Sequence, residues 1–423
     1  MSATAPTSAT APTSDLAAAT KTDFPLLARD VYGKPIVYLD SAATSQKPQA
    51  VLDAMGAYYR ACNANVHRGA YHIADLATQA MEEARAKLQR FIGAASPREV
   101  IFCRNATEAV NLVAHSWGRA NLAEGDAVLL THMEHHANIV PWHMLASERG
   151  VELRWLPLDD DGRLDLRHLD QLLDGARLVA FSAMSNVLGT IPPIRRIADA
   201  AHERGALVLL DGAQYVPHMP TDVAELGCDF LAFSGHKMCG PTGIGVLWGR
   251  EELLEAMPPF MGGGEMILNV TTEGFLPNEL PWKFEAGTPA IAEVVGLGAA
   301  VDYLDGIGME AVRRHDVSLT AYALRTLTER HGETLTIHGP PEPAARGGVL
   351  SFEFGEVHAH DISQVLDTHA VCVRAGHHCA KPLMRRLGAV ATARASVYIY
   401  NDRSDIDHLA EALDRVGDLF GPQ

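Results

Sequence analysis

Three short apolar runs in one stretch of the chain constrain the fold most strongly. They occupy residues 207–210, 230–233 and 244–248, and each is bordered by small or charged residues that a buried sheet cannot hide. Asp211 follows the first run, and Ser234, His236 and Lys237 follow the second. Since the carboxyl ends of parallel strands meet at one edge of a sheet, we expect an acid and an amine to lie together there.

A lysine and an aspartate at such an edge suit one kind of cofactor. Desolvation lowers the pKa of a lysine so that its amine can bond to a carbonyl group, and an aspartate opposite a pyridine nitrogen keeps that nitrogen protonated. Each residue also has an ordinary explanation, because a strand-end aspartate is often a helix cap and Ser-Gly-His-Lys is compatible with a solvated turn. Together they indicate a site for pyridoxal phosphate (PLP).

The segment around Lys237 resembles the aminotransferase class V family of fold type I PLP enzymes. It is most similar to the SUF-type (group II, SufS-like) cysteine desulfurases, from about residue 24 to the C-terminus. The resemblance implies that Lys237 bonds covalently to the cofactor and is catalytic. Ser234 and His236 would bind the cofactor phosphate. Asp211 would pair with the pyridinium, and Gln214 would contact the ring oxygen.

A second stretch places backbone groups near a phosphate. An apolar run at residues 100–103 is followed by Ala106 and Thr107 and then by a helix with apolar periodicity. This arrangement points helix N–H groups at the cofactor phosphate, although Thr107 also fits an ordinary helix cap. Many of the similar desulfurases have two threonines here, so Ala106 implies that backbone donors replace one hydroxyl.

A cluster of titratable residues follows the next apolar run, at His132, Glu134, His135 and His136. We expect no metal, because the order is not His-Glu-x-x-His and no second ligand cluster accompanies it. The resemblance instead implies that His135 stacks on the cofactor ring and takes part in proton transfer. It also implies that Asn186, at the end of another apolar strand, contacts the cofactor and the substrate.

The second reactive group is expected near the C-terminus, at Cys379. Arg374, His377, His378 and Lys381 surround it in the sequence, and cations stabilise a thiolate. The alternative is a buried, unreactive thiol, which we expect for Cys62, Cys103, Cys228 and Cys372. The motif RAGHHCA resembles the group II desulfurases, and this implies that Cys379 is catalytic and accepts sulfur.

Further binding residues follow from the same resemblance. Arg374 and Arg394 would bind the substrate carboxylate, which an arginine fork matches better than a lysine does. Thr288 matches a residue that reaches the cofactor phosphate of the other subunit, so a homodimer is implied. The role of Thr288 depends on the resemblance and not on composition.

A sulfur acceptor is suggested by His358 and His360, which precede a predicted helix. The ordinary explanation is a strand end with a solvated cap. Desulfurases that pass sulfur to a zinc-containing, SufU-like acceptor look similar at this position. The hypothesis is that His360 replaces a zinc ligand on the acceptor and frees an acceptor thiolate.

The whole chain is predicted to be an α/β protein with a mostly parallel seven-stranded sheet and a smaller α+β domain. We expect a disordered tail at residues 1–22, a large PLP-binding domain at 38–285, and a small domain formed by 23–37 and 286–423. The formal charge of −17 argues against nucleic acid or an anionic membrane as partner. No apolar run spans a membrane, and six scattered cysteines indicate the cytoplasm.

The resemblance implies the conversion of L-cysteine to L-alanine, with a persulfide left on Cys379 for iron–sulfur cluster assembly. A selenocysteine lyase or a related PLP β-lyase is the nearest alternative, because the same scaffold serves those reactions. A non-catalytic PLP-binding protein that docks a sulfur carrier is a more remote alternative. The combined presence of Lys237, Asp211, Arg374 and Cys379 argues against that reading.

Overall fold

The computed structural model describes residues 14–420. Its N-terminal elements are α1 (Ser14–Thr20), β1 (Asp30–Val31), β2 (Lys34–Pro35) and β3 (Val37–Tyr38). Helix α1 corrects the expected tail at residues 1–22, since Ala17 is buried and the Thr20 hydroxyl donates to the Ile399 carbonyl at 2.9 Å. Apolar contact therefore orders a segment whose composition alone predicts disorder. Residues 1–13 of the expected tail lie outside the described residues.

The central sheet has seven strands in the spatial order β4-β10-β9-β8-β7-β5-β6. In chain order these are β4 (Val100–Cys103), β5 (Ala127–Thr131), β6 (Glu152–Leu156), β7 (Ala176–Ser182), β8 (Leu207–Asp211), β9 (Phe230–Ser234) and β10 (Gly245–Gly249). The expected, mostly parallel sheet is confirmed. Strand β10 alone among the seven runs antiparallel to its neighbours, so Gly245 at its start lies opposite Ser234 at the end of β9.

Helices cover both faces of this sheet. They are α2 (Gln49–Ala61), α3 (His72–Phe91), α4 (Ala106–Val113), α5 (Arg119–Asn121), α6 (Val140–Arg149), α7 (Leu169–Leu172), α8 (Ile194–Glu203), α9 (Val223–Leu226) and α10 (Glu251–Ala256). Successive strand residues point to opposite faces. In β5, Leu129 joins one buried apolar cluster and Leu130 joins another. Burial on both faces explains why the strands read as continuous apolar runs.

The C-terminal part starts with a hairpin and two long helices, β11 (Ile267–Val270), β12 (Phe275–Pro277), α11 (Ile291–Ile307) and α12 (Met309–His331). It continues through β13 (Leu335–His338), β14 (Val349–Phe354), α13 (Ala359–Thr368), β15 (Val371–Cys372), β16 (Arg374–Gly376), α14 (Lys381–Leu387), β17 (Thr392–Ser396) and α15 (Arg403–Phe420). A four-stranded antiparallel sheet has the order β13-β14-β17-β16, and β15 pairs in parallel with β3.

The two parts of the chain share long helices and a strand. Helix α11 packs against α2 and α3, and a Cβ added at Gly298 would lie 2.8 Å from the Ala84 Cβ. Val37 and Leu39 belong to the buried cluster of the C-terminal part. The N-terminal segment therefore crosses from one part to the other. No helix within residues 14–420 is both long enough and apolar enough to cross a membrane.

A buried ion pair ties α3 to the segment that precedes α11. Both guanidinium NH groups of Arg85 donate to Glu285, at 2.7 and 2.9 Å, and Arg85 is 1% exposed. Glu285 also accepts from the backbone of Phe102 on β4 at 2.8 Å, and the Arg85 guanidinium lies over the Phe102 ring. The Arg85–Glu285 pair therefore joins the sheet, the helix and the connecting segment, and Glu82 adds a second carboxylate at 2.9 Å from Arg85 Nε.

We predict that Glu285→Gln lowers the free energy of unfolding by about 3 kcal/mol, because it leaves the buried charge of Arg85 without its main partner. Urea unfolding followed by circular dichroism measures this change. The double variant Arg85→Met/Glu285→Gln removes the charge as well and should recover most of the stability. A loss below about 1 kcal/mol for the single variant, the level of an exposed ion pair, would contradict the prediction.

Candidate active site

A cavity of about 220 Å³ lies at the carboxyl edge of the central sheet, facing the C-terminal part. Most of the residues predicted for the site line it: Ala106, Thr107, His135, Asn186, Asp211, Gln214, Ser234, His236, Lys237, Arg374, Cys379 and Arg394. The reversed direction of β10 brings the start of that strand to the same edge. Gly245, the first residue of β10, thus lies between Ser234 and Asn105, the residue before α4.

Asp211 and Lys237 are an acid and an amine that both line the cavity. Asp211 ends β8 and is 5% exposed, and its Oδ1 accepts from the backbone N–H of Ala213 at 3.0 Å. Burial raises the pKa of this carboxyl, whereas the nearby Lys237 acts to lower it. Burial also lowers the pKa of Lys237 to about 8. Each group therefore partly offsets the desolvation of the other.

The start of α4 lies beside the end of β9 and leaves the Thr107 N–H for an anion, because the N–H groups of Ala106 and Glu108 are paired within the chain. The side chain of Asn105 caps the helix by accepting from the Glu108 N–H at 3.0 Å, so the capping role considered for Thr107 belongs to Asn105. The Ser234 hydroxyl accepts from the Ala106 N–H at 2.9 Å, which ties β9 to the helix. A Cβ on Gly245 would lie 2.5 Å from the Asn105 Cα, so only glycine allows this close approach.

His135 faces the cavity as a neutral imidazole. Burial lowers its pKa to about 3, and its Nδ1 accepts from the Ala137 N–H at 3.1 Å, which leaves the ring proton on Nε2. Glu134 does not line the cavity and accepts from Asn138 and Ser182, each at 2.8 Å. His132 lies beside Trp155. These residues diverge, and no group of three potential metal ligands forms among residues 14–420.

Two amide side chains hold the walls of the cavity together. The Gln214 amide donates to the Ala42 carbonyl at 2.7 Å, and the Asn186 amide donates to the His378 carbonyl at 2.8 Å. The Oδ1 atom of Asn186 is buried without a hydrogen-bond partner within the described part of the chain. A buried acceptor of this kind is expected to pair with a bound group. Asn186 thus links the sheet edge to the segment that carries Cys379.

Cys379 is exposed and also lines the cavity, in the loop between β16 and α14. His378 and Cys379 both have left-handed backbone conformations, with φ of 50° and 57°. His136, which follows strand β5 of the central sheet, stabilises this loop. Its backbone N–H donates to the Cys379 carbonyl at 2.7 Å, and its ring Nε2 accepts from the Lys381 N–H at 3.1 Å. Sequence reasoning assigned no role to His136.

One of the residues expected to place a positive charge near Cys379, His378, is uncharged. Burial lowers the pKa of His378 to about 3, so this histidine is neutral near pH 7. Its Nε2 lies 3.1 Å from the Thr392 carbonyl and 2.9 Å from the Thr392 hydroxyl. Positive charge near Cys379 comes instead from Lys237 and Arg394, since the cysteine acts to raise the pKa of both groups against the lowering effect of burial.

Arg374 and Arg394 lie directly opposite each other on the antiparallel strands β16 and β17. Arg394 is buried and donates to the Asn186 carbonyl at 2.9 Å, whereas half of the Arg374 side chain is exposed. Asp40 contacts both guanidinium groups, at 3.3 Å from Arg374 Nε and 3.2 Å from Arg394 Nη2. Sequence reasoning missed Asp40, whose signal was its position beside the small-residue turn at 41–44.

Two predicted residues lie outside the cavity. Thr288 is exposed and lines a separate surface cavity with Tyr59 and Asn65, so within one chain it does not reach the phosphate donors. His360 is exposed in the first turn of α13, where its ring stacks on His358 with centroids 5.3 Å apart. The roles given to Thr288 and His360 stay predictions.

Residues 37–409 match the family model described as Aminotransferase class-V. The chain belongs to this family. The predicted family is therefore confirmed, and the assignment to the SUF-type group stays a prediction. Over 399 residues the chain is 52% identical to a probable cysteine desulfurase of Halalkalibacterium halodurans, covering 94% of this chain and 97% of that protein.

Two solved structures agree with this fold over nearly the whole chain. A cysteine desulfurase of Thermococcus onnurineus, solved in the apo form, is 37% identical with a TM-score of 0.90, and the match covers 95% of this chain and 98% of that one. The cysteine desulfurase CsdA of Escherichia coli is 38% identical with a TM-score of 0.86, at the same coverage. The prediction of the fold is confirmed by these likenesses.

The residues of the cavity fit PLP, the cofactor of this family. The N–H and hydroxyl of Thr107 and the hydroxyl proton of Ser234 suit its phosphate, and the buried carboxylate of Asp211 suits a pyridinium. The unpartnered Oδ1 of Asn186 and the Lys237 amine face the same space. Each polar part of the cofactor thus has a complementary group in the cavity.

We predict that covalent uptake of PLP by the cofactor-free protein depends on pH through Lys237. Only the neutral amine attacks an aldehyde, and the pKa of Lys237 is about 8. The uptake rate should rise about tenfold per pH unit below that value and level off above it. Stopped-flow absorbance measures the rate, with Lys237→Ala as the control that forms no bond. A rate that still rises between pH 9 and 10 would contradict the prediction.

Proposed function

We propose that this chain is a PLP-dependent cysteine desulfurase. The observation that supports this most directly is the convergence on one cavity of the Lys237 amine, the Asp211 carboxylate, the Cys379 thiol and the paired arginines. An amine and a buried acid suit the cofactor, the arginines suit the carboxylate of an amino acid, and the thiol suits a sulfur acceptor. Relatives along nearly the whole chain carry the same name.

The proposed reaction transfers one sulfur atom. The C–S bond of L-cysteine breaks and an S–S bond forms to Cys379, so that L-cysteine and the Cys379 thiol become L-alanine and a Cys379 persulfide. The electron pair of the broken bond stays on the carbon, which is protonated, and no external oxidant is required. When bound, PLP supplies an electron-accepting ring that stabilises negative charge next to the substrate nitrogen.

The side chains of the cavity have separate tasks in this proposal. Lys237 removes the proton from the substrate Cα, for which a pKa of about 8 is favourable near neutral pH. Arg374 and Arg394 orient the substrate through its carboxylate. His135, with its proton on Nε2, would contact the cofactor ring and could donate a hydrogen bond to a group bound in the cavity. The exposed Cys379 then offers the sulfur to a second protein.

The proposed assembly is a homodimer in the cytoplasm. Thr288 lies outside the cavity of its own chain and is exposed, which suits a residue that acts on the site of a partner. The persulfide would serve iron–sulfur cluster assembly through an acceptor protein. We propose that this acceptor is zinc-containing and SufU-like, because His360 presents an exposed imidazole at the start of α13.

We predict that Cys379→Ser still binds PLP and L-cysteine but forms no persulfide, because a hydroxyl is a poor acceptor of sulfur at neutral pH. Mass spectrometry should show one added sulfur on Cys379 of the wild type after incubation with L-cysteine. Alanine release should fall by at least about a hundredfold in the variant. Cys372→Ser, which changes a half-buried cysteine, is the matched control and should behave as the wild type.

Two results would contradict this assignment. One is cysteine-dependent addition of sulfur to a different cysteine of the Cys379→Ser variant. The other is retention of alanine release from L-cysteine at the wild-type rate. Retention of activity with L-selenocysteine alone would favour the selenocysteine lyase, because selenium can leave without an acceptor thiol on the enzyme.

We predict that His360→Ala forms the persulfide at the wild-type rate but is not stimulated by a zinc-containing acceptor. The reason is that the imidazole is needed only for ligand exchange at the zinc of the acceptor. Alanine release is measured with and without the purified acceptor. His408→Ala is the control, since His408 is likewise an exposed histidine in the first half of a helix. Equal stimulation of the His360 variant and the wild type would refute the hypothesis.

A further inference from the structure

Asp40 occupies an unusual position between two like charges. Arg374 and Arg394 are direct cross-strand partners, and like charges placed in this way repel each other. The Asp40 carboxylate bridges them, with Oδ2 3.3 Å from Arg374 Nε and Oδ1 3.2 Å from Arg394 Nη2. One carboxylate therefore holds both guanidinium groups.

The backbone places Asp40 in this position independently of its side chain. Residue 40 forms a bridge with Ser396 in β17, two residues beyond Arg394, and the Asp40 carbonyl accepts from the Ala43 N–H at 3.0 Å at the start of the turn. Asp40 does not itself line the cavity, whereas both arginines do. It is placed to act on a bound molecule through the arginines.

The contacts of Asp40 with the two arginines determine which guanidinium N–H groups and what net charge are left for a ligand. Arg394 uses its Nη1 on the Asn186 carbonyl and its Nη2 on Asp40, while its Nε is buried without a partner among residues 14–420. Two guanidinium groups and one carboxylate together carry a single positive charge. A monoanion neutralises this set, whereas a dianion does not.

We propose that Asp40 is a positioning and specificity-determining residue of the carboxylate site. It aligns Arg374 with Arg394 and reduces their combined charge, so that the site selects the single carboxylate of an amino acid and discriminates against dianions. The proposal rests on the proposed function, because the ligand it assumes is an amino-acid substrate or product.

The test compares two ligands on the PLP-loaded protein. L-alanine binding is followed through the absorbance of the bound cofactor, and inorganic sulfate is titrated as a competitor. For Asp40→Asn we expect the Kd of L-alanine to rise at least about tenfold, because Arg374 loses its alignment. We expect the Ki of sulfate to fall at least about fivefold, because two positive charges remain uncompensated. KM for L-cysteine should rise more than kcat falls.

Three further variants make the result specific. Asp40→Glu restores a carboxylate and should move both constants back toward the wild type. Asp40→Asn/Arg374→Gln has a single positive charge and no like-charge pair, so it is expected to fold readily and to bind sulfate as the wild type does. Asp53→Asn removes one exposed charge on α2 and should change neither constant.

A rise in the Kd of L-alanine together with a fall in the Ki of sulfate supports the proposal, since general damage to the fold would weaken the binding of both ligands. Any other combination in Asp40→Asn overturns it, as does sulfate binding by the double variant that stays tighter than in the wild type. Failure of the proposed function is separate, because it would appear as a wild type that releases no alanine from L-cysteine.

Discussion

Asp211 carries a carboxylate into the protein interior at the end of β8, and a buried charge is stable only when another group compensates for its lost hydration. Among residues 14–420 the compensation is incomplete, because the stabilising contacts of Asp211 are one backbone N–H and the positive charge of Lys237. A cation bound in the cavity would complete it. A positively charged ring bound at the strand edge would therefore be stabilised by Asp211. Burial at the same edge also lowers the pKa of Lys237.

The remaining groups reach this edge from the other part of the chain. Strands β16 and β17 bring the two arginines, and the loop after β16 brings Cys379. Among the hydrogen bonds that join the parts, the Asn186 amide and the His136 backbone N–H donate to the segment of Cys379, and the Asp40 carboxylate accepts from Arg374. These contacts hold Arg374, Arg394 and Cys379 against the sheet edge. In the proposed function, the central sheet supplies the groups that hold the cofactor, and the contacts between the parts position the groups that bind the substrate.

Features set by neighbouring residues in the sequence could be predicted, whereas features set by contacts between distant residues could not. Buried strands are apolar throughout, so their ends and the polar residues there are visible in the sequence, as for Asp211 and Lys237. The direction of β10 is not visible, because a run of apolar residues has no orientation. Asp40 was missed because its partners lie 334 and 354 residues away. Helix α1 was missed because the composition of its segment is typical of disorder, and only its packing orders it.

The loop that carries Cys379 makes its side chain accessible both from the cavity and from solvent. Two successive non-glycine residues with left-handed backbones cost free energy, about 1–3 kcal/mol each, and persist only where other contacts impose them. Here the Asn186 amide binds the His378 carbonyl, the His136 N–H binds the Cys379 carbonyl, and α14 continues from Lys381. The resulting turn directs an exposed thiol into the edge of the cavity. In the proposed reaction, a sulfur on Cys379 would lie in the same cavity as Arg374 and Arg394 and would also be accessible to a second protein, so neither acceptance nor onward transfer would require the loop to unfold.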